Sequence, residues 1–281
     1  MTTPASIRSQ DIALRSDDGH AWSLLARIPE QPSASLLWLP AMGVAARHYL
    51  PFAEALAARG IAVFVHEWRG NGCSSLRADH AHDWGYRELL ASDLPASEAA
   101  IEAATPGMPR ILGGHSLGGQ LACCRLGMAP DAAGTLWLVA GGAPYWRAFP
   151  APTRWWLPLA YRFTPWLADR CGALPGRRIG FGGQEARGVI HDWSRSALSG
   201  RYAAAGLDMD LEATMAGVAV PIRAVAKTGD WLAPVSSLRF LLSKLPRSTP
   251  TIISLGAEPG RHADHFSWMR QPEPTVDALL D

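Results

Sequence analysis

The sequence lacks any marked imbalance of charge. Its 281 residues include 26 Lys and Arg against 25 Asp and Glu, for a formal net charge of +1, and no basic or acidic run stands out. Binding to nucleic acid or to a strongly charged partner usually requires such an excess, since electrostatic attraction carries much of the affinity. The composition therefore gives no support to nucleic-acid binding and favours a small or neutral substrate as the partner.

The sequence also has no long apolar segments, and we expect no leader sequence. No stretch approaches the roughly eighteen apolar residues that suggest a membrane span, and the N-terminal MTTPASIRSQ has neither a basic nor an apolar region. We therefore expect no stable membrane insertion and a cytoplasmic location.

Cysteine is scarce, and the 4 residues present show no metal-binding spacing. Cys123 and Cys124 are adjacent in a predicted helix, which does not suit a disulfide framework, so we interpret the cysteines as reduced, small apolar residues. A metal site at His80 and His82 would need further ligands, and none is suitably spaced. The sequence predicts no metal and no organic cofactor.

The whole chain is long enough to bury a sizeable core. In its first half, short apolar runs alternate with helical patterns. SLLWLP at 35–40 and IAVFVHE at 61–67 are typical of buried strands, and the segment between them, 52–60, is typical of an amphipathic helix. The pattern repeats after residue 110 and returns at 220–228. Such alternation predicts an α/β fold with a mostly parallel sheet and helices on both faces.

The alternation stops between residues 144 and 215. This block is rich in proline, tryptophan, arginine and glycine and contains no clear strand. We interpret it as a cap inserted between two strands of one sheet, so that residues 1–143 and 216–281 form the core.

Ser116 lies within Gly114-His115-Ser116-Leu117-Gly118, a G-x-S-x-G pattern. An apolar run precedes it and a helical pattern, LGGQLACC, follows. A strained serine at such a strand-to-helix junction is exposed at the sheet edge, and glycines two residues before and after it avoid collisions between strand and helix. The context favours a nucleophile over an incidental serine in a glycine-rich turn.

A nucleophilic serine needs a base and a carboxylate to activate it. Asp230 follows the predicted strand at 220–228, and His262 and His265 follow the next predicted strand. Both loops leave the carboxyl ends of strands, where α/β sheets carry their sites. We favour His265 over His262, because Phe266 and Trp268 could hold its ring in one orientation.

The motifs GHSLGG, GDWLAP and DHFSW, in this order, resemble the α/β-hydrolase superfamily over essentially the whole chain, and EWRGNGCSS resembles its D-x-R-G-x-G-x-S turn. The sequence most resembles bacterial hydrolases related to monoglyceride lipases and serine aminopeptidases. The resemblance implies an eight-stranded, mostly parallel sheet with a cap between the sixth and seventh strands. It also implies Ser116 as nucleophile, Asp230 as acid and His265 as base.

The resemblance further implies an oxyanion hole formed by the backbone N–H groups of Met42 and Leu117. The His-Gly that usually precedes the first of these is Pro40-Ala41 here. Because the hole uses main-chain donors, this change alters the shape of the loop rather than the chemistry.

Five tryptophans of the predicted cap could line an apolar substrate pocket or could form the core of a small helical lid. They are Trp146, Trp155, Trp156, Trp166 and Trp193.

These features predict a serine hydrolase that cleaves a carboxylic ester or related acyl compound through an acyl-enzyme. An acyltransferase with the same triad is an alternative, as is cleavage of a peptide from its N-terminus with Glu185 or Asp192 binding the ammonium group. A catalytically inactive binding protein with this fold is a further alternative.

Overall fold

The structure, a computed structural model, describes residues 6–256 and 264–281. Within these residues the strands are β1 (Ile7–Arg15), β2 (Ala21–Pro29), β3 (Ala34–Leu39), β4 (Ile61–Val65), β5 (Arg110–His115), β6 (Thr135–Val139), β7 (Leu174–Pro175), β8 (Gln184–Glu185), β9 (Pro221–Lys227) and β10 (Thr249–Leu255).

The main sheet contains eight of the described strands in the order β1-β2-β4-β3-β5-β6-β9-β10. β1 and β2 form an antiparallel hairpin, and β2 also pairs antiparallel with β4. All the remaining neighbours are parallel. The carboxyl ends of β3, β5, β6 and β9 therefore meet at one edge, where the predicted site residues follow.

The α-helices of the described chain are α1 (Leu50–Ala57), α2 (Tyr86–Glu88), α3 (Leu94–Ala104), α4 (Leu117–Met128), α5 (Thr153–Cys171), α6 (Gly176–Ile179), α7 (Arg187–Ser199), α8 (Leu211–Ala216), α9 (Val235–Leu242) and α10 (Glu273–Leu280). A π-helical turn, Leu89–Asp93, joins α2 to α3. The predicted alternation and the mostly parallel sheet are confirmed.

Between β6 and β9 the chain leaves the sheet for residues 140–220, which we call the insertion. It contains α5 to α8 and a small antiparallel pair formed by β7 and β8, so the prediction of a block without strands was wrong at these two short segments. Residues of the insertion lie beside the carboxyl edge of the sheet. The exact cap limits of 144 and 215 stay a prediction.

The core forms two buried clusters, one of which contains the aromatic group of Trp38, Phe52 and Trp268. Strand β4 is buried along its whole length, as expected for a central strand with helices on both faces. The packing ties the loop that carries His265 to the main sheet, because Trp268 follows His265 by three residues.

No helix within the described ranges combines the length and the apolar character needed to cross a bilayer. The four cysteines are free, with Cys123 and Cys124 buried and Cys73 and Cys171 exposed.

Candidate active site

Ser116 lies between the last residue of β5 and the first residue of α4, at a backbone conformation of φ 54° and ψ −116°. Residues with a side chain rarely adopt this region, and such strain persists only where the surrounding structure imposes it. The Ser116 N–H donates to the carbonyl of Val139, and the carbonyl of Ser116 accepts from Gly119 and Gln120. These bonds hold the serine at the tip of the sheet, in the sharp turn predicted from its motif.

The flanking glycines are required by close backbone approaches. A Cβ atom on Gly114 would lie 2.3 Å from the carbonyl carbon of Gly118, and one on Gly118 would lie 2.0 Å from the carbonyl oxygen of Leu39. Both distances are far below van der Waals contact. Only glycine at both positions lets α4 begin directly against β5 and β3.

Asp230 and His265 form a buried pair. His265 Nδ1 lies 2.7 Å from Asp230 Oδ2, and both residues are 5% exposed. Asp230 Oδ1 accepts hydrogen bonds from the backbone N–H groups of Leu232 (2.9 Å) and Ala233 (3.1 Å). The carboxylate is therefore held in one orientation and directs the other imidazole nitrogen, Nε2, away from itself. His262 lies outside the described residues.

Ser116 and His265 line one cavity of about 410 Å³. Its wall is mostly apolar and aromatic and includes Leu157, Trp193 and Phe149. Among the described lining residues, those with polar groups such as hydroxyl, amide or imidazole are Ser116, Gln120, Tyr161, Thr164 and His265. No described lining residue is an Asp, Glu, Lys or Arg. Such a wall suits an uncharged, apolar ligand.

Two residues that line the cavity with Ser116 have backbone N–H groups without a hydrogen-bond partner among the described residues. In the described parts of the chain, neither Met42 nor Leu117 donates its N–H to a hydrogen bond, and both residues line the cavity. The neighbouring Ala41 N–H, by contrast, donates to Tyr49 Oη at 2.9 Å. Unpaired donors facing a cavity next to a serine can stabilise a negatively charged oxygen.

The serine hydroxyl and the imidazole belong to residues that line the same cavity. Within residues 6–256 and 264–281, Ser116 Oγ makes no hydrogen bond to His265. Catalytic hydrogen bonds are often long or poorly aligned without substrate and tighten when it binds. The arrangement therefore leaves room for a proton transfer that substrate binding would align.

His115, inside the serine motif, has a different environment. Its Nδ1 lies 2.8 Å from Tyr49 Oη, and its ring packs 4.7 Å from that of His265. Burial, together with the nearby His265, holds the pKa of His115 well below its usual value. A neutral His115 supports the His265 ring without adding a competing positive charge.

The predicted pocket tryptophans separate into two groups. Trp156 and Trp193 line the cavity, whereas Trp146 and Trp155 do not. Trp155 differs from the prediction because its position on α5 turns it outward, where it is 64% exposed. Trp166 also faces outward and is 59% exposed.

The sequence did not predict the cavity-lining roles of Trp231 and Phe266 or the burial of Lys227. Trp231 and Phe266 line the cavity, and their positions directly after Asp230 and His265 were the available signal. Lys227 is buried at the end of β9 and donates to Thr275 Oγ1 at 2.6 Å. Burial lowers the pKa of Lys227 to about 8, while the negative charge of Asp230 opposes this shift.

The two acidic residues considered for ammonium binding serve other contacts. Asp192 accepts from the N–H groups of Tyr86 (2.9 Å) and Ala205 (3.2 Å) and pairs with Arg195 at 2.7 Å. Glu185 accepts from the Gly183 N–H at 2.7 Å, and burial raises the pKa of Glu185 to about 6. Neither lines the cavity.

A second Ser–His–Asp arrangement lies outside the strands, between the β1–β2 turn, the loop after β4 and the π-helical turn. His20 Nε2 is 3.0 Å from Ser74 Oγ, and His20 Nδ1 is 3.2 Å from Asp93 Oδ1. Ser74 is buried, and its oxygen already accepts N–H groups from Gly70 and Leu76. Hydrogen-bond geometry alone therefore does not identify a nucleophile, since this serine faces no described cavity and has no strained turn.

Among the described residues, no group of three or more His, Cys, Asp or Glu side chains is placed to hold a metal ion.

Comparison with solved structures shows the fold. A carboxylesterase of the thaumarchaeon Nitrososphaera gargensis has a TM-score of 0.63 at 13% identity, covering 95% of this chain and 96% of its own. The α/β hydrolase GrgF of a Penicillium species has a TM-score of 0.63 at 15% identity, with 98% and 97% covered. An esterase of Thermogutta terrifontis has a TM-score of 0.61 at 15% identity, with 97% of each chain covered.

No curated protein matches the sequence significantly. A family model described as serine aminopeptidase, S33, matches residues 30–195, which is more than half of the chain and includes the serine motif. The chain therefore belongs to this family of hydrolases and has the α/β-hydrolase fold.

Proposed function

We propose that the protein is a serine esterase that cleaves an uncharged, apolar carboxylic ester. The observation that carries the proposal is the convergence on one apolar cavity of a strained Ser116 and the buried Asp230–His265 pair. In this proposal His265 Nε2 removes the proton from Ser116 Oγ, which attacks the ester carbonyl carbon. Asp230 orients the ring and balances the charge of the imidazolium.

The tetrahedral oxyanion would accept hydrogen bonds from the N–H groups of Met42 and Leu117. Their lack of other partners in the described chain supports this role. His265 then returns its proton to the departing alcohol, and the same residue activates a water molecule that releases the acid from the acyl-enzyme.

We further propose that the insertion acts as a cap over the cavity. Leu157, Tyr161, Phe181 and Trp193 all belong to it and contribute to the cavity wall. A cap of this kind would exclude water from the reacting atoms and select substrates by shape.

The lining favours an ester over an aminoacyl peptide. A free ammonium group in an apolar cavity needs a carboxylate partner, and the described wall contains none. Transfer of the acyl group to another acceptor uses the same residues, so product analysis with an added alcohol separates that alternative from hydrolysis.

The test compares hydrolysis of p-nitrophenyl esters and of amino-acid arylamides by the wild type and by Ser116→Ala. We expect ester turnover that increases with acyl length, no arylamide cleavage, and loss of ester turnover in the variant. Arylamide cleavage exceeding ester cleavage would contradict the proposed substrate class. Ester turnover retained in Ser116→Ala would contradict the proposed nucleophile.

A further inference from the structure

Helix α5 has two apolar faces. Its inward face packs through Leu157, Tyr161, Thr164 and Ala168, which recur every three or four residues. A second set with the same helical spacing points outward and is exposed: Trp155 64%, Leu159 70%, Phe163 50% and Trp166 59%. A surface helix normally has one apolar stripe. A second exposed stripe with three aromatic rings indicates an interaction surface.

Arginine accompanies this outer stripe. Arg162 and Arg170 follow Trp155 by about two and four helical turns, so they project from the same side. Arg154 stacks its guanidinium 4.5 Å from the ring of Trp155. Asp169 is the only acidic residue of α5, and His191 lies 2.9 Å from its Oδ1. The face therefore combines exposed aromatic rings with an excess of positive charge.

The outer stripe is continuous with the mouth of the cavity. Phe163 belongs to both, because it is half exposed and also lines the cavity. Trp156, Ile179, Trp231 and Phe266 are likewise exposed lining residues. The rings of Trp156 and Trp231 lie 6.3 Å apart, which links the helix to the loop that carries Asp230. An apolar path therefore leads from the outer face of α5 into the cavity.

We propose that this outer face of α5, with Trp155, Leu159, Trp166, Arg162 and Arg170, docks reversibly on the surface of a bilayer that contains anionic lipids. Tryptophan favours the boundary between headgroups and acyl chains, and arginine pairs with lipid phosphates. Docking turns the cavity mouth toward the lipid, so that an apolar ester reaches Ser116 without crossing water. Only this last step rests on the proposed esterase function.

A second copy of the chain fits this face less well. A two-fold contact buries the same patch of both copies against itself, which would bring the arginines of one copy toward those of the other. Anionic headgroups complement the same charges. The charge of the face thus selects the bilayer as its occupant.

The test is cosedimentation of the full chain with vesicles of phosphatidylcholine alone and of phosphatidylcholine mixed with phosphatidylglycerol. It uses Ser116→Ala as the parent, so that binding is measured without lipid hydrolysis. We expect binding to the mixed vesicles. Adding Leu159→Ser and Trp166→Ser should lower the partition coefficient about tenfold or more, because two apolar side chains no longer enter the interface. Adding Arg162→Gln and Arg170→Gln should lower binding to the mixed vesicles by about tenfold, with little change on the neutral ones.

Matched controls are Met209→Ser, an exposed apolar residue outside α5, and Arg8→Gln on the exposed strand β1. Both should bind like the parent, and all variants should keep its circular dichroism and unfolding midpoint. No binding to either vesicle, or binding unchanged by Leu159→Ser with Trp166→Ser, would overturn the proposal. A wild-type dimer that this pair of substitutions converts to a monomer would show that the face joins two copies instead.

These outcomes are separate from the proposed chemistry. Vesicle binding by a protein that hydrolyses no ester would leave docking intact and reject the esterase. Ester hydrolysis without vesicle binding would leave the esterase intact and reject docking.

Discussion

At the scale of single residues, both oxygens of Asp230 are occupied: one by two backbone N–H groups and the other by His265. Replacing Asp230 by Asn keeps one acceptor oxygen but presents an NH₂ group to His265 Nδ1. The imidazole would then adopt the tautomer with a proton on Nε2, which cannot accept the proton of Ser116.

Asp230→Asn should therefore lower kcat for the best ester by about 10³–10⁴-fold while the fold is kept. Steady-state kinetics on that ester provide the measurement. Asp208→Asn, at an exposed position, is the matched control and should leave kcat unchanged. Equal rates for Asp230→Asn and wild type would reject Asp230 as the acid.

Glu185 makes stability depend on pH. Burial raises its pKa from 4.5 to about 6 in the folded protein, so the folded state binds more protons than the unfolded state between these values. The free energy of unfolding consequently falls as pH rises from 4.5 to 6, by about 2 kcal/mol for this group.

Glu185→Gln keeps an acceptor for the Gly183 N–H and removes the charge. The variant should be more stable than wild type by about 2 kcal/mol at neutral pH, with the difference vanishing below pH 4.5. Urea unfolding across this pH range measures it, and Glu30→Gln, an exposed position, should show no difference from wild type. If Glu185→Gln and wild type differed in free energy of unfolding by the same amount at all pH values, the raised pKa of Glu185 would not be the cause.

At the scale of elements, the insertion rests directly on the loop that carries Met42. Gly43 has a φ of +73°, and a Cβ on it would lie 2.2 Å from the backbone nitrogen of Gly183. Gly182 approaches Met42 as well, since its Cβ would lie 3.4 Å from the Met42 sulfur. Any displacement of this loop would therefore move one of the two proposed oxyanion donors.

Gly43→Ala tests this contact. We expect ester kcat/KM to fall about tenfold to hundredfold, because the loop and the insertion cannot keep their present approach. Gly19→Ala is a matched control, since Gly19 has a similar φ of +87° but its Cβ would have no neighbour within 4 Å. Both variants should lose about 1–2 kcal/mol of stability from the positive φ. If Gly19→Ala lost activity to the same degree, backbone strain rather than the loop contact would be responsible.

A buried ion pair links the loop after β4 to the π-helical turn and to the turn of the β1–β2 hairpin. Arg69 donates two hydrogen bonds to Asp93 at 2.7 and 2.9 Å and another to Asp18 at 2.6 Å. Asp93 also contacts His20, and both are fully buried. Removing Asp93 would leave the Arg69 charge without its principal partner in a site with little access to water.

Asp93→Ala should thus destabilise the protein by about 3–5 kcal/mol. Asp277→Ala removes an ion pair with Arg59 whose members are about half exposed, and it should change stability by less than about 1 kcal/mol. Denaturant unfolding compares the two. A similarly small loss of unfolding free energy in both variants would show that the buried ion pair contributes little to stability.

At the scale of the whole molecule, the parallel part of the sheet could be predicted because its strands are short, apolar and separated by helical patterns. Strands β3, β4 and β9 all lie where the sequence indicated them. The antiparallel hairpin was harder to recognise. β1 is mostly exposed, so its residues carry little of the apolar signal that identifies a buried strand.

The insertion was the least predictable region. Its helix α5 continues through Pro158 and Pro165, although each proline removes a backbone donor and normally ends a helix. Contacts with the rest of the insertion, such as Tyr161 against Trp193, stabilise it instead. Which tryptophans face the cavity depends on this packing, so the composition alone could not separate Trp193 from Trp155.

The candidate site could be proposed from the sequence because its residues follow strand ends. Ser116, Asp230 and His265 are distant in sequence, yet parallel strands bring their loops to one edge. The pKa shifts of Lys227 and Glu185 were not predictable in this way, since they arise from burial that only the folded chain reveals.

Labelling of the purified protein with a fluorophosphonate, followed by intact mass and peptide mapping, tests most directly whether Ser116 is an activated nucleophile. We expect one adduct per chain, located on Ser116, and no adduct in Ser116→Ala, while Ser74→Ala is labelled like wild type. Absence of labelling in folded wild-type protein, or an adduct on Ser74 or another serine, would show that Ser116 is not the nucleophile.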